Sequence, residues 1–204
     1  MCNAYTVRPK IGALALEAMV SAEISKLPAL LVRRTGPGVV VQTSDDGPIP
    51  EMMRWGFHRP FSDAINNARS DKFHSLTWAD SLKLRRCLVP VSSFFEWQHL
   101  PGGLKQAFEF RRPDGDWMWI AGLYERTTSH GNCYATITTE PSPLMVPIHD
   151  RMLAVLDPAA AFSFLRGETL PFTPYAGEIL ITRCDSPLKR KSKPPDDDPQ
   201  AELF

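Results

Sequence analysis

Apolar residues in this chain come in short β-branched and aromatic runs, each closed off by a Gly, Pro or Asp turn signal. A chain punctuated in this way folds around strands. VVVQT at 39–43 follows Gly36-Pro37-Gly38 and precedes Asp45-Asp46-Gly47, which predicts a strand there and a second one over 51–57. RCLVPVSSFFEW at 86–97 reads as one buried strand bent at Pro90. Phe108 and Phe110 alternate, Pro113-Asp114-Gly115-Asp116 turns, and WMWIAGLYE returns, the pattern of a hairpin. Further strands are expected at 132–139, 149–156 and 177–184. Helical signals are few: the Ala-, Leu- and Glu-rich 12–27 ending at Pro28, a short segment over 71–83, and one that Pro158 opens and that runs through Phe164. Residues 58–70 are polar and irregular, a surface loop. The class is α+β, β-rich with a few short helices. From residue 186 onward Pro, Lys, Asp and Ser dominate, so 186–204 reads as a flexible tail behind a single domain over 1–185.

At 43% hydrophobic and 23% charged residues the chain has enough apolar material for an ordinary core. It has no apolar run long enough for a transmembrane helix, and no basic segment followed by an apolar one at its start, so neither a membrane span nor a signal peptide is expected. The expected compartment is cytoplasmic, with reduced thiols. Cysteines at 2, 87, 133 and 184 form no Cys-x-x-Cys pair, which leaves a structural zinc site without support. Net charge is zero, 23 Lys and Arg against 23 Asp and Glu. Residues 54–112, however, hold ten Lys or Arg against five Asp or Glu. A basic middle suits a polyanion such as nucleic acid, and equally a solvated face.

Cys2 carries the most distinctive chemistry. An initiator methionine before so small a residue is normally trimmed, which would leave a free α-amine and a thiol two carbons apart. Both have reference pKa values near neutral pH, about 8 and about 8.5. An aldehyde condenses with such an amine to an imine, and the thiol then closes a five-membered thiazolidine. His149, in PIHDRM, can move protons near pH 7, or can be a core-edge histidine bonded to backbone. Glu96, inside an aromatic run, must pair or shift its pKa upward unless it faces water at a strand end. Asn67 and Arg69, in NNARSD, suit a phosphate or sugar contact, or simple turn chemistry. Trp55, in MRWGF, can stack on an unpaired base or fill the core.

In order, the chain shows Met1-Cys2, Arg54-Trp55-Gly56, Asn67-Ala68-Arg69-Ser70-Asp71, Cys87-Leu88-Val89-Pro90 with Phe94-Phe95-Glu96-Trp97, and His149-Asp150-Arg151-Met152. This set resembles the SRAP family, the SOS-response-associated peptidase domain, over 1–185. The resemblance implies a single α+β domain with a barrel-like, mostly antiparallel β core. It implies a monomer, nucleoid-associated, that binds single-stranded DNA and ssDNA–dsDNA junctions and traps abasic sites as a thiazolidine crosslink. It also implies a possible autopeptidase activity and no metal or organic cofactor. Carried over residue by residue, Cys2 is the crosslinking nucleophile, Asn67 orients it, Glu96 handles protons and crosslink reversal, and His149 assists ring opening and imine formation. Arg69 and Arg151 hold phosphates, while Trp97 and Thr138 lie near the DNA.

The chain departs from the family pattern in four places. Asn3-Ala4 stand where Gly-Arg is common, and Arg34 falls where many members have an Asn-x-Ala-Pro loop, so Arg34 is read as an alternative phosphate contact. The loop over 57–65 looks short for a wedge that splits a DNA junction, and Leu153 replaces a usual proline. Two rival readings remain open: a cysteine peptidase using Cys2 and His149, and a non-catalytic ssDNA-binding module. Finally, Gln200, Leu203 and Phe204 resemble the short peptide by which repair proteins dock on the DNA-polymerase sliding clamp.

Overall fold

The computed structural model describes residues 1–8, 24 and 30–188. The helix expected over 12–27 lies outside the described residues except for Ile24, which is helical and buried. Gln200, Leu203 and Phe204 lie outside them altogether.

Fifteen strands carry the described part of the chain: β1 (Ala4–Val7), β2 (Leu30–Arg33), β3 (Pro37–Ser44), β4 (Gly47–Trp55), β5 (Phe57–Arg59), β6 (Ser62–Ile65), β7 (Asn67–Arg69), β8 (Arg86–Val91), β9 (Ser93–His99), β10 (Lys105–Arg111), β11 (Met118–Glu125), β12 (Cys133–Thr139), β13 (Met152–Leu153), β14 (Val155–Leu156) and β15 (Leu180–Cys184). Two short helices accompany them, α1 (Ala79–Leu84) and α2 (Pro158–Leu165). The fold is α+β, a single domain of mostly antiparallel β structure with a partial barrel. The pairings β12–β4–β3–β8–β11 lead back to β12, so the larger sheet curls toward a ring. Two seams are thin: β12 meets β4 through two residue pairs, and β3 meets β8 only at Val41 and Leu88. Among the described residues no helix is long and apolar enough to cross a membrane.

The smaller sheet, ordered β15-β10-β9-β1-β2, positions the chemistry. β1 is paired on both sides, to β2 and to β9. The chain terminus, ordinarily the least constrained part of a fold, is therefore held in the middle of a sheet, with Cys2 two residues ahead of it.

Several expectations are corrected. The segment 86–97 is two strands broken at Ser92, with Pro90 inside β8; the break lets the chain leave the larger sheet and continue in the smaller one. The hairpin expected across Pro113–Asp116 is absent: β10 pairs with β9 and β15, and β11 with β8, β12 and β14. The turn at Pro113 and Asp114 is present, but it joins two sheets instead of two partners. The loop expected over 58–70 contains β5, β6 and β7, and β7 lies parallel to β12, a pairing that local periodicity cannot reveal. The helix expected over 71–83 shrinks to α1 preceded by a 3-10 turn at Ser70–Lys72. The strand expected over 149–156 becomes β13 and β14, and His149 stands in the turn before them.

The core beneath Cys2 is aromatic. Tyr5 meets Trp55 edge-on at 5.0 Å, Trp55 stacks on Tyr134 at 6.4 Å, and the Tyr5 and Tyr134 hydroxyls hydrogen-bond to each other. Gly38 is required for this packing, because a Cβ there would collide with both hydroxyls. Gly38→Ala is expected to cost about 3 kcal/mol, the upper end of overpacking, read as a lowered urea midpoint at unchanged slope.

Candidate active site

The Cys2 carbonyl is clamped from one side. It accepts from Asn66 Nδ2 at 3.0 Å and Asn67 Nδ2 at 2.9 Å. Thr136 Oγ1 fixes the second amide by donating to Asn67 Oδ1 at 3.1 Å, a contact made possible by the parallel register of β7 and β12. The Asn66 carbonyl accepts from Trp55 Nε1 at 2.9 Å. The sequence pointed to Asn67 but not to Asn66 or Thr136; the Asn doublet was the available signal.

On the other side lie Glu96, on β9, and His149. The N-terminal ammonium of Met1 donates to His149 Nε2 and stands 3.6 Å from Glu96 Oε2. Glu96 Oε2 and His149 Nε2 are 4.0 Å apart, too far for a direct hydrogen bond. His149 Nδ1 lies 3.0 Å from both Asp150 Oδ1 and the Arg151 main-chain nitrogen, and in the tautomer that leaves Nε2 to accept, Nδ1 donates to Asp150. The Asn66–Asn67 clamp and the His149–Glu96 pair thus hold the first two residues between them.

Burial sets the protonation states. Glu96 is 2% exposed, and desolvation raises its pKa to about 8, against the pull of the nearby ammonium. His149 is pushed down, first by burial and then by the ammonium's charge. At neutral pH the pair is therefore a carboxylic acid beside a neutral imidazole, an acid and a base side by side. Burial pushes the Cys2 thiol well up, with the Glu96 charge adding to it, and Sγ donates to the Ala4 carbonyl at 3.2 Å. The thiol is stored protonated.

The raised Glu96 pKa has a stability consequence. The folded state holds this proton to about pH 8, while an unfolded glutamate releases it near its ordinary value. Folding is thus favoured below the unfolded pKa, and the advantage is lost as pH rises toward 8. Glu96→Gln removes the titration, so the loss of Tm between pH 5 and pH 8 should be smaller in the variant than in the wild type. An equal loss in both proteins would contradict the assignment.

A cleft of about 230 Å³ opens at this point, lined by Glu96, Trp97, His99, Lys105 and His149. Trp97 is half-buried and its Nε1 donates to Ser186 Oγ at 3.3 Å. Gln98 Nε2 donates to the Pro147 carbonyl at 2.8 Å, tying β9 to the turn that carries His149. His99 and Lys105 escaped the sequence reading because they face each other only through the β9–β10 register.

The remaining candidates divide by exposure. Arg69 is half-buried and forms a two-pronged ion pair with Asp71, at 3.1 and 2.8 Å. Arg34 is exposed and grips the Ala64 carbonyl with Nε and Nη2, at 3.1 and 2.9 Å. Arg151 is 6% exposed; its Nη2 donates to the Thr138 carbonyl at 2.6 Å and lies 3.5 Å from Asp71 Oδ1. Its Nη2 also donates to Ser70 Oγ at 3.4 Å, so these contacts make it a brace between the Thr138 strand and the Ser70–Asp71 turn. Thr138 is buried, and its Oγ1 has no partner among the described residues. Trp55 is fully buried in the aromatic stack, so the base-stacking role gives way to the core role.

Residues 1–181 match the protein family described as SOS response associated peptidase (SRAP). Among curated relatives, the abasic site processing protein YoqW of Bacillus subtilis is 33% identical over 115 residues, 51% of each chain. The abasic site processing protein YMR114C of Saccharomyces cerevisiae is 29% identical over 122 residues, 53% of this chain and 32% of that one. The aligned part spans about half the length of the bacterial relative. Among solved structures, a protein of Bordetella bronchiseptica superposes with a TM-score of 0.71 at 21% identity, covering 91% of this chain and all of that one. A phage-related protein of the same organism reaches 0.68 at 18% identity, covering 91% and 95% of the two chains. At these identities the structural likeness speaks for the fold.

Proposed function

The chain belongs to the SOS response associated peptidase family, and from that membership we propose that it processes abasic sites in DNA, forming a covalent adduct through Cys2 once Met1 has been removed. One observation carries the proposal: the clamped Cys2 carbonyl on one side and, on the other, the Glu96–His149 pair at the Met1 amino group, one residue from the amine that removal of Met1 would free. Such an arrangement fits a reaction of an N-terminal amine.

The chemistry runs in three steps. The Cys2 amine adds to the aldehyde carbon of the ring-opened abasic sugar, and the proton the nitrogen loses passes through His149 to the new alkoxide, giving a carbinolamine. Its hydroxyl leaves as water with a proton from Glu96, giving the protonated imine. The thiol then adds to the imine carbon and its proton returns to Glu96, closing the thiazolidine with a net loss of one water. Glu96 near pKa 8 matches the amine it works beside, whose ordinary value is about 8. The test is intact-protein mass spectrometry after incubation with abasic single-stranded DNA. It should read the mass of protein lacking Met1 plus DNA minus one water; an unmodified protein mass would refute the proposal.

The peptidase reading fares less well on geometry. Cys2 Sγ donates to the Ala4 carbonyl, while His149 faces the amino group. DNA backbone contact is assigned to Arg34 and Arg69, the two candidate arginines with exposed surface. Arg69→Ala should weaken binding to any DNA sequence alike and flatten its salt dependence by about one phosphate contact, measured by anisotropy across a salt series.

A further inference from the structure

A cavity of about 540 Å³ shares Arg69 and Arg151 with the site but none of the residues lining the Met1 cleft. Its volume lies in the range that encloses small organic ligands. One wall is aromatic: Phe172 meets Phe73 edge-on at 5.5 Å and Phe164 at 5.8 Å, and Phe73 and Phe172 are only half-buried, so ring surface remains to be covered. Another wall is Arg86, half-buried, with its guanidinium 5.1 Å from the Phe164 ring centre. Among the described residues, every hydrogen bond it makes goes to a main-chain carbonyl, from Nε to Leu82 and from Nη1 to Phe164 and Glu168. No carboxylate among these partners offsets its charge, and Nη2 makes no hydrogen bond among the described residues. Of the two acidic residues lining the cavity, Asp71 is engaged by Arg69 and Arg151, and Glu140 is exposed. The cavity therefore offers aromatic surface beside an unneutralised guanidinium, which is the chemistry of an aromatic base carrying a phosphate.

We propose that this cavity is a nucleotide subsite, taking a base against Phe73 and Phe172 and the attached phosphate against Arg86. Its position supports the assignment. Arg69 lies two residues beyond Asn67 on β7, and the Arg151 main-chain nitrogen is 3.0 Å from His149 Nδ1, so the subsite borders the site where the sugar would react. The nucleotide can come from two sources, the neighbour of an abasic site in the same DNA strand or a free mononucleotide. The first source rests on the proposed function.

Two measurements on the full chain separate the sources. In the first, anisotropy compares two oligonucleotides carrying a central tetrahydrofuran, an abasic analogue without the aldehyde, whose flanking nucleotides either keep their bases or are tetrahydrofuran too. A strand-borne nucleotide gives about tenfold tighter binding when the flanking bases are present, and Phe73→Ala and Arg86→Gln erase the preference. In the second, saturation-transfer NMR follows deoxyadenosine monophosphate at about 1 mM, the weak-binding range, beside deoxyadenosine and inorganic phosphate. A signal for the monophosphate that either variant abolishes assigns the free source. Phe73→Ala, at a half-buried turn residue, should keep the wild-type far-ultraviolet circular dichroism and a cooperative thermal transition, which shows the variant is folded. If neither the flanking-base preference nor the nucleotide signal depends on Phe73 or Arg86, the subsite is refuted even where the adduct forms. If no adduct forms but the nucleotide signal depends on Phe73, the proposed function fails and the subsite stands.

Discussion

Cys2→Ala should leave no adduct that survives denaturing electrophoresis, the largest effect expected of any substitution in this chain. Removing the thiol leaves the amine able to form an imine, which water reverses unless a hydride donor traps it. Cys2→Ser should give a weaker and more labile product, since an alkoxy carbon–oxygen closure reopens more readily than the thioether. The fold offers little resistance to the change. Cys2 is small, its Sγ makes one hydrogen bond to the Ala4 carbonyl, and the clamp from Asn66 and Asn67 acts on its carbonyl, which every substitution retains. Loss of the adduct in Cys2→Ala would therefore report chemistry. Extending the chain by one residue that is not trimmed gives the complementary test. The thiol is then unchanged but the amine is displaced, so a thiazolidine cannot close, whereas a thiol peptidase would keep working. A heat-stable adduct of undiminished yield in Cys2→Ala would end the mechanism.

The sequence showed the candidate residues more clearly than the framework that gathers them. Cys2, Asn67, Glu96 and His149 stand in separate motifs, and the structure brings all four around the first two residues. Composition and turn signals were enough for the α+β class and for most strands. They could not supply partners. The hairpin expected between 108 and 125 fails because β10 and β11 belong to different sheets, and nothing local distinguishes a turn that joins partners from one that changes sheets. The parallel pairing of β7 with β12 joins residues far apart in the chain, and it is this register that brings Thr136 to Asn67. His99 and Lys105 reach the cleft by the same kind of non-local pairing. Trp55 and Arg151 sit in motifs suited to DNA contact, and both are buried, since an aromatic or a guanidinium can brace a core as readily as it can bind a ligand. Residue chemistry is local and survives in a motif; burial depends on what the rest of the chain brings to the same place.

The framework also explains why proton transfer should be so sensitive to His149. Its imidazole is aimed by Asp150, which accepts from Nδ1 at 3.0 Å and so leaves Nε2 unprotonated and directed at the Met1 amino group. His149→Ala removes the acceptor while Glu96, in β9, stays in place. The rate of adduct formation should fall by about 10², the usual contribution of a positioned acid or base. The pH profile distinguishes this from a loss of binding. In the unsubstituted site the rate should fall on the acid side as His149 takes up a proton, at a pH below its ordinary 6.5 because burial and the neighbouring ammonium both resist that charge. On the alkaline side it should fall near pH 8 as Glu96 ionises and stops donating. Without the imidazole the acid limb set by His149 should shift or vanish, while DNA affinity and its salt dependence stay as they were. Single-turnover rates measured across pH 5 to 9 at saturating DNA give the answer. An unshifted acid limb, with the whole effect confined to a salt-sensitive binding constant, would reassign His149 from moving protons to holding the DNA backbone.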